Sequence, residues 1–159
     1  MHISETLEFA VRHILPPMLI VTLIFLIAIL VFPTFRLTFR EFTLIYWSFV
    51  IVSFLLNYQA KRWTDYVVRH YGPQKEKNPV VRKMYIERNF KQYWIGWLGM
   101  YFILLFFYII GVKVQIFLPS LILPSWVLAI VLYDFLNDFL WIRRLNQTRR
   151  PNHEPRESL

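Results

Sequence analysis

The densest polar chemistry in the chain lies in the run Tyr133-Asp134-Phe135-Leu136-Asn137-Asp138-Phe139-Leu140, where two carboxylates and a carboxamide interrupt apolar sequence. Spacings of three and four residues put Asp134, Asn137 and Asp138 on one face of a helix. A charge inside a bilayer costs roughly 2.5–3.5 kcal/mol on insertion scales, so this face is expected to turn towards a bundle interior or the cytoplasmic interface. Arg143-Arg144 marks the cytoplasmic end of the segment. Asp138 then lies about one and a half turns inside it, and Asp134 a turn deeper. One chemistry for such a face is a cation or proton site, joined by Asn57 at similar depth on an earlier helix. The alternative is an inter-helix ion pair with Lys61, Arg62 or Arg88 that fixes packing. A kink at Pro124, ending the span near Tyr133 or Asp134, leaves both carboxylates merely interfacial.

A second cluster is Glu76-Lys77-Asn78-Pro79. Asn followed by Pro is a helix opening, with Asn as cap and Pro at the first helical position. Glu76 suits the positive end of that helix. With this Glu-x-Asn-Pro sequence just after a membrane helix, the chain resembles a group of small prokaryotic four-helix membrane proteins that carry the same motif. It departs from the group in having Asn57 where an acidic residue is expected late in the second helix. The group has no established activity, so the resemblance implies an architecture and no function.

Other chemistry is sparse. His13 and His70 are the candidate haem or metal ligands, and neither has a companion at metal-ligand spacing. The chain has no cysteine and four glycines. A thiol nucleophile, a disulfide scaffold and a zinc-finger module are therefore excluded, and a nucleotide cradle is hard to build. No Gly-x-Ser-x-Gly or His-Glu-x-x-His motif is present. No cofactor is expected, and the identity of any metal is open.

The elements that must position these residues follow from hydropathy. Of the 159 residues, 57% are hydrophobic and 18% charged, with a mean hydropathy of +0.41. Soluble domains run at about 45–50% apolar and about 25% charged. The composition excludes intrinsic disorder and points to an all-α polytopic membrane protein. Four uncharged stretches approach the roughly 20 residues needed to cross a bilayer core. They predict helices at about 14–33, 42–71, 79–112 and 120–145 in one domain over 1–145, followed by a polar tail at 146–159. The apolar runs are continuous rather than alternating, which argues against strands. The first run is too long for a cleaved signal peptide and lacks a small-residue cleavage site. Before it, residues 4–13 read as a short amphipathic surface helix.

Gly72-Pro73 stops the second helix, and residues 80–90 run without a breaker into the third segment. Helices two and three are thus expected to reach about thirty residues each and to project as a hairpin. Gly96 and Gly99 allow close helix approach, chiefly within the molecule. Tyr46, Trp47, Tyr58, Trp63, Tyr93, Trp94, Trp126 and Trp141 fall where interfacial aromatic belts are expected. A shift of 80 residues lays the first two spans on the last two, a pattern open to reading as a parallel repeat.

Fifteen of the 18 Lys and Arg residues lie in the N-terminal segment, the 61–91 connection and the tail. Three, Arg36, Arg40 and Lys113, lie in the other two loops. This asymmetry puts both termini and the middle connection on the cytoplasmic side of a cell membrane. The charge flanks membrane segments, so anionic lipid explains it better than nucleic acid, which is not an expected partner.

Three functional readings follow. In the first, the protein is a non-catalytic subunit or scaffold. Its hairpin residues Arg62, Arg69, Lys75, Glu76, Lys77, Arg82, Lys83 and Arg88 contact anionic head groups or a protein partner. In the second, it is an ion- or proton-binding or transport component using Asp134, Asn137, Asp138 and Asn57. In the third, it is an interfacial enzyme whose carboxylates, with Glu76, hold a divalent cation against a lipid phosphate.

Overall fold

The computed structural model describes residues 3–31, 36–87 and 90–148, with side chains at all of these except 3, 4, 90, 92–94 and 148. Regular structure among the described residues is helical throughout. It comprises α1 (Ile3–Phe9), a π-helical turn (Ala10–Ile14), α2 (Leu15–Val31), α3 (Phe39–Tyr71), a 3-10 turn (Pro73–Lys75), α4 (Pro79–Ile86), α5 (Phe90–Val114), α6 (Phe117–Ser120) and α7 (Ile122–Thr148). Four stretches, Glu5–Val31, Phe39–Tyr71, Ile95–Val114 and Phe117–Gln147, are long and apolar enough to cross a membrane. Arg88, the tail beyond 148 and the side chains of Tyr93 and Trp94 lie outside the described residues.

Local chemistry explains most element boundaries. Pro16 and Pro17 lack N–H groups, and their rings crowd the carbonyls of Arg12 and His13. The chain answers with one wide turn, in which the Leu15 N–H reaches back to the Ala10 carbonyl. The N-terminal segment therefore runs on into α2 through that turn. Thr38 and Glu41 form a reciprocal capping box: Thr38 N donates to Glu41 Oε2 at 2.9 Å, and Glu41 N donates to Thr38 Oγ1 at 3.3 Å. This starts α3 at Phe39, three residues ahead of the position read from hydropathy. Its 33 residues span about 50 Å. Gly72 ends α3 at φ +85°, a conformation open to glycine without steric cost.

Two expectations need correction. The helix opened by Asn78-Pro79 does not run unbroken into the third segment, because α4 stops at Ile86. No breaker marks that stop. Instead α4 is drawn onto α1, with Arg82 Nη2 lying 3.6 Å from Glu5 Oε2. Nor is there a kink at Pro124. It sits in the first turn of α7, where its missing N–H removes no intrahelical bond, and α7 continues to Thr148.

The core lies where α3, α5 and the start of α7 meet, and α7 also packs along α2. Phe42, Tyr46 and Leu104 are essentially fully buried. Phe42 stacks on Tyr108 with centroids 5.6 Å apart and on Phe117 at 5.0 Å. The Tyr46 hydroxyl donates to the Leu104 carbonyl. Close approach of α5 and α6 depends on Gly111, where a Cβ would stand 2.8 Å from Ser120 Cβ and 3.2 Å from Phe42 Cζ. At Gly96 and Gly99 a Cβ would meet nothing within 4 Å among the described residues. The glycine that packs is thus Gly111, not the pair singled out by spacing. Large apolar side chains cover the outside, among them Leu30 at 78% exposed and Phe102 at 68%.

Candidate functional site

Five segments line a half-open cavity of about 430 Å³. The α3 wall carries Asn57, Lys61 and Thr64, which share one face at spacings of four and three. The α7 wall carries Ile130, Val131, Asp134, Asn137 and Asp138, again one face. The connection after α3 and the start of α4 supply Glu76, Lys77, Asn78, Val80, Val81, Met84 and Tyr85. Gly96, Trp97 and Met100 come from α5, and Thr6, Phe9, Ala10, His13 and Ile14 from the N-terminal segment. All four residues read as an acidic helix face with Asn57 therefore line one space, together with Glu76 from the second cluster.

Glu76 is held by a compact turn. Its Oε1 accepts the Asn78 N–H at 2.9 Å, and the Thr64 hydroxyl donates to the same carboxylate. Asn78 Oδ1 in turn accepts the N–H groups of Val80 at 3.0 Å and Val81 at 3.3 Å, so the helix cap also seats Glu76. Only 8% of Glu76 is exposed. Burial raises its carboxyl above the ordinary value, and the hydrogen bonds from Asn78, Thr64 and Lys77, with the Lys77 charge, oppose that rise in part. The charge of Glu76 acts on both Asp134 and Asp138. Three carboxylates thus share one low-dielectric space.

The nearby cations are largely committed elsewhere. Lys61 Nζ pairs with Asp65 Oδ2 at 2.8 Å, and the Tyr85 hydroxyl donates to the other Asp65 oxygen. Lys77 Nζ lies 4.5 Å from the centroid of the Trp141 ring, whose Nε1 donates to the Lys75 carbonyl at 3.2 Å. Burial lowers the Lys77 ammonium, opposed by the charge of Asp138. Among the described residues, no Lys or Arg makes an ion pair with Asp134 or Asp138. Arg62 is exposed on α3, and Arg88 falls outside the described residues.

The other basic residues divide between ion pairs and exposed positions. Arg82 pairs with Glu5, and Lys83 Nζ lies 3.6 Å from Glu87 Oε1. Arg62, Arg69 and Lys75 are exposed. The His70 ring lies tilted against Tyr66 with centroids 4.3 Å apart, away from the cavity. His13 lines the cavity, and its Nδ1 lies 3.2 Å from the Phe9 carbonyl. A carbonyl can only accept, so Nδ1 carries the proton and Nε2 is left as an acceptor in the neutral ring. Among the described residues, no three His, Asp or Glu side chains are close enough to hold one metal ion.

Thr6, Thr64 and Trp97 were not flagged as site residues from sequence. Thr64 was legible in principle, as the third member of the Asn57–Lys61–Thr64 stripe. Thr6 and Trp97 carry no such signal, since each reaches the cavity through packing of its helix. The chain matches no protein-family model, no curated protein and no solved structure. The resemblance carried by Glu76-Lys77-Asn78-Pro79 is thus confined to that motif and its place after α3.

Proposed function

We propose that the protein is a multi-pass integral membrane protein of the cell membrane, with both termini and the α3–α4 connection cytoplasmic. Its acidic cavity takes up protons and cations, which makes it a small ion-binding or transport component. The observation that carries this reading is the meeting of Glu76, Asp134 and Asp138 on one cavity, with no Lys or Arg closed onto either aspartate among the described residues. A purely structural ion pair needs its counter-ion in contact. The membrane assignment is supported by the apolar outer surface of the four long helices and by the fifteen-to-three basic asymmetry. At about 50 Å, α3 exceeds a bilayer core of about 30 Å, so its basic end extends into the cytoplasm.

The test is thermal unfolding of purified protein in mild detergent, for the wild type and for Asp134→Asn/Asp138→Asn. The midpoint of the wild type is expected to shift with pH and added cations, and that of the double variant to shift less. Identical responses of the two proteins under every condition overturn the reading.

A specific observation also supports a scaffold role. Arg62, Arg69 and Lys75 are exposed at the basic end of α3 and in the turn after it. There they contact anionic head groups, each contributing about 1 kcal/mol near such a surface. A protein partner at the same surface is compatible with this. The divalent-metal enzyme reading has less support, because the three carboxylates share the cavity without forming a common metal-ligand cluster.

A further inference from the structure

The cavity is shaped for more than an inorganic ion. Calcium or magnesium needs six or more oxygen ligands at about 2.0–2.6 Å, a sphere that fills a small part of such a space. A volume of about 430 Å³ falls within the range of sites for small organic molecules, about 300–1,000 Å³. Its lining combines apolar and acidic side chains, with Ile130 and Val131 beside the aspartates on α7 and with Lys61 and Lys77 also on the wall. Phe9, Val81, Met84, Trp97 and Met100 supply apolar surface from the N-terminal segment, α4 and α5. Glu76 and the two aspartates supply the carboxylates, from the α3–α4 connection and α7.

Two further observations point to an occupant. Glu76 is more than nine-tenths buried, and its hydrogen bonds to Asn78 and Thr64 leave its charge without an ion pair among the described residues. The Thr6 hydroxyl, also on the cavity wall, is buried without a hydrogen-bond partner among the described residues. An ammonium group answers the first need by its charge, and its N–H, when it has one, answers the second. The Trp97 and Phe9 rings suit an attached aromatic or alkyl group, and a cation held near an aromatic face gains further attraction.

We propose that the cavity binds a lipophilic organic monocation, an amine or quaternary ammonium carrying an aromatic or short alkyl group. Its charged end lies towards Glu76 and Asp138 and its apolar end towards Trp97 and Met100. The inference rests on the reading of this cavity as an acidic ligand site.

The experiment uses the full chain in lipid nanodiscs, with Trp fluorescence and the thermal midpoint as readouts. The probes are benzyltriethylammonium, the neutral benzyl alcohol, and sodium and calcium chloride. Saturable binding of benzyltriethylammonium is expected, with benzyl alcohol at least about tenfold weaker, as loss of a charge-assisted contact implies. Glu76→Gln is expected to weaken the cation and to leave the response to benzyl alcohol nearly unchanged, whereas Trp97→Leu is expected to weaken both probes. The comparison of probes on the wild type decides the matter even if a variant fails to fold. Equal binding of the neutral and charged probes, or no saturable binding of the cation, overturns the inference. If that happens while the pH or salt response still separates wild type from Asp134→Asn/Asp138→Asn, the acidic-site reading survives alone. If neither response appears, both fail.

Discussion

Glu76 shows how one side chain serves both fold and site. Its carboxylate accepts the Asn78 N–H and the Thr64 hydroxyl, and burial raises its affinity for a proton. A carboxyl held above its ordinary value binds a proton more readily in the folded than in the unfolded chain. The resulting stability is fully present below about 4.5, where both states are protonated, and is lost as pH rises through the elevated native value. The expected outcome is a thermal midpoint that falls as pH climbs from 4.5 towards neutrality. Glu76→Gln keeps an oxygen for the Asn78 N–H and removes the titration, so its profile over that window should be flatter. Parallel profiles for the two proteins count against the assigned burial of this group.

Among the elements, the contact of α5 with α6 depends on the absence of one side chain. At Gly111 a methyl would meet Ser120 Oγ at 2.5 Å and Ser120 Cβ at 2.8 Å, with Phe42 Cζ behind them. Gly111→Ala is therefore expected to destabilise by about 1–3 kcal/mol, the usual cost of overpacking. Gly99, with nothing among the described residues within 4 Å of an added Cβ, is the control. Gly99→Ala should be neutral or stabilise α5 by up to about 1 kcal/mol through backbone entropy. Denaturant unfolding in mixed micelles measures both. A larger loss at position 99 than at 111 contradicts this packing. The π-helical turn at Ala10–Ile14 acts at the same scale, because it sets the rotation of α1 that brings Thr6 and Phe9 to the cavity.

At the scale of the whole molecule, the distribution of charge sets the orientation proposed for the bundle. Gln74 lies in the turn after α3, and Arg36 lies just before α3, at its other end. With no native cysteine, Gln74→Cys and Arg36→Cys can each be labelled without background. A membrane-impermeant thiol reagent applied to intact cells is expected to reach position 36 and to spare position 74 until the membrane is opened. Labelling of both from one side is incompatible with the proposed topology.

Four long apolar helices, the opening at Asn78-Pro79 and the shared face of Asp134, Asn137 and Asp138 were all legible in the chain. Each depends on residues within a turn or two of one another, where hydropathy, capping and helical period act. The same locality accounts for Thr38, whose capping box with Glu41 is a four-residue pattern that hydropathy does not register. Other features required the tertiary structure. The partner of the acidic face is Glu76, delivered by a turn far away in sequence, and Lys61, one candidate counter-ion, is engaged by Asp65 within its own helix. The stop at Ile86 follows no residue signal and accompanies the docking of α4 on α1. Gly111 differs from Gly96 and Gly99 only in what another helix places beside it. Residue type and spacing determine which face a helix offers, and the packing of several helices decides what that face meets.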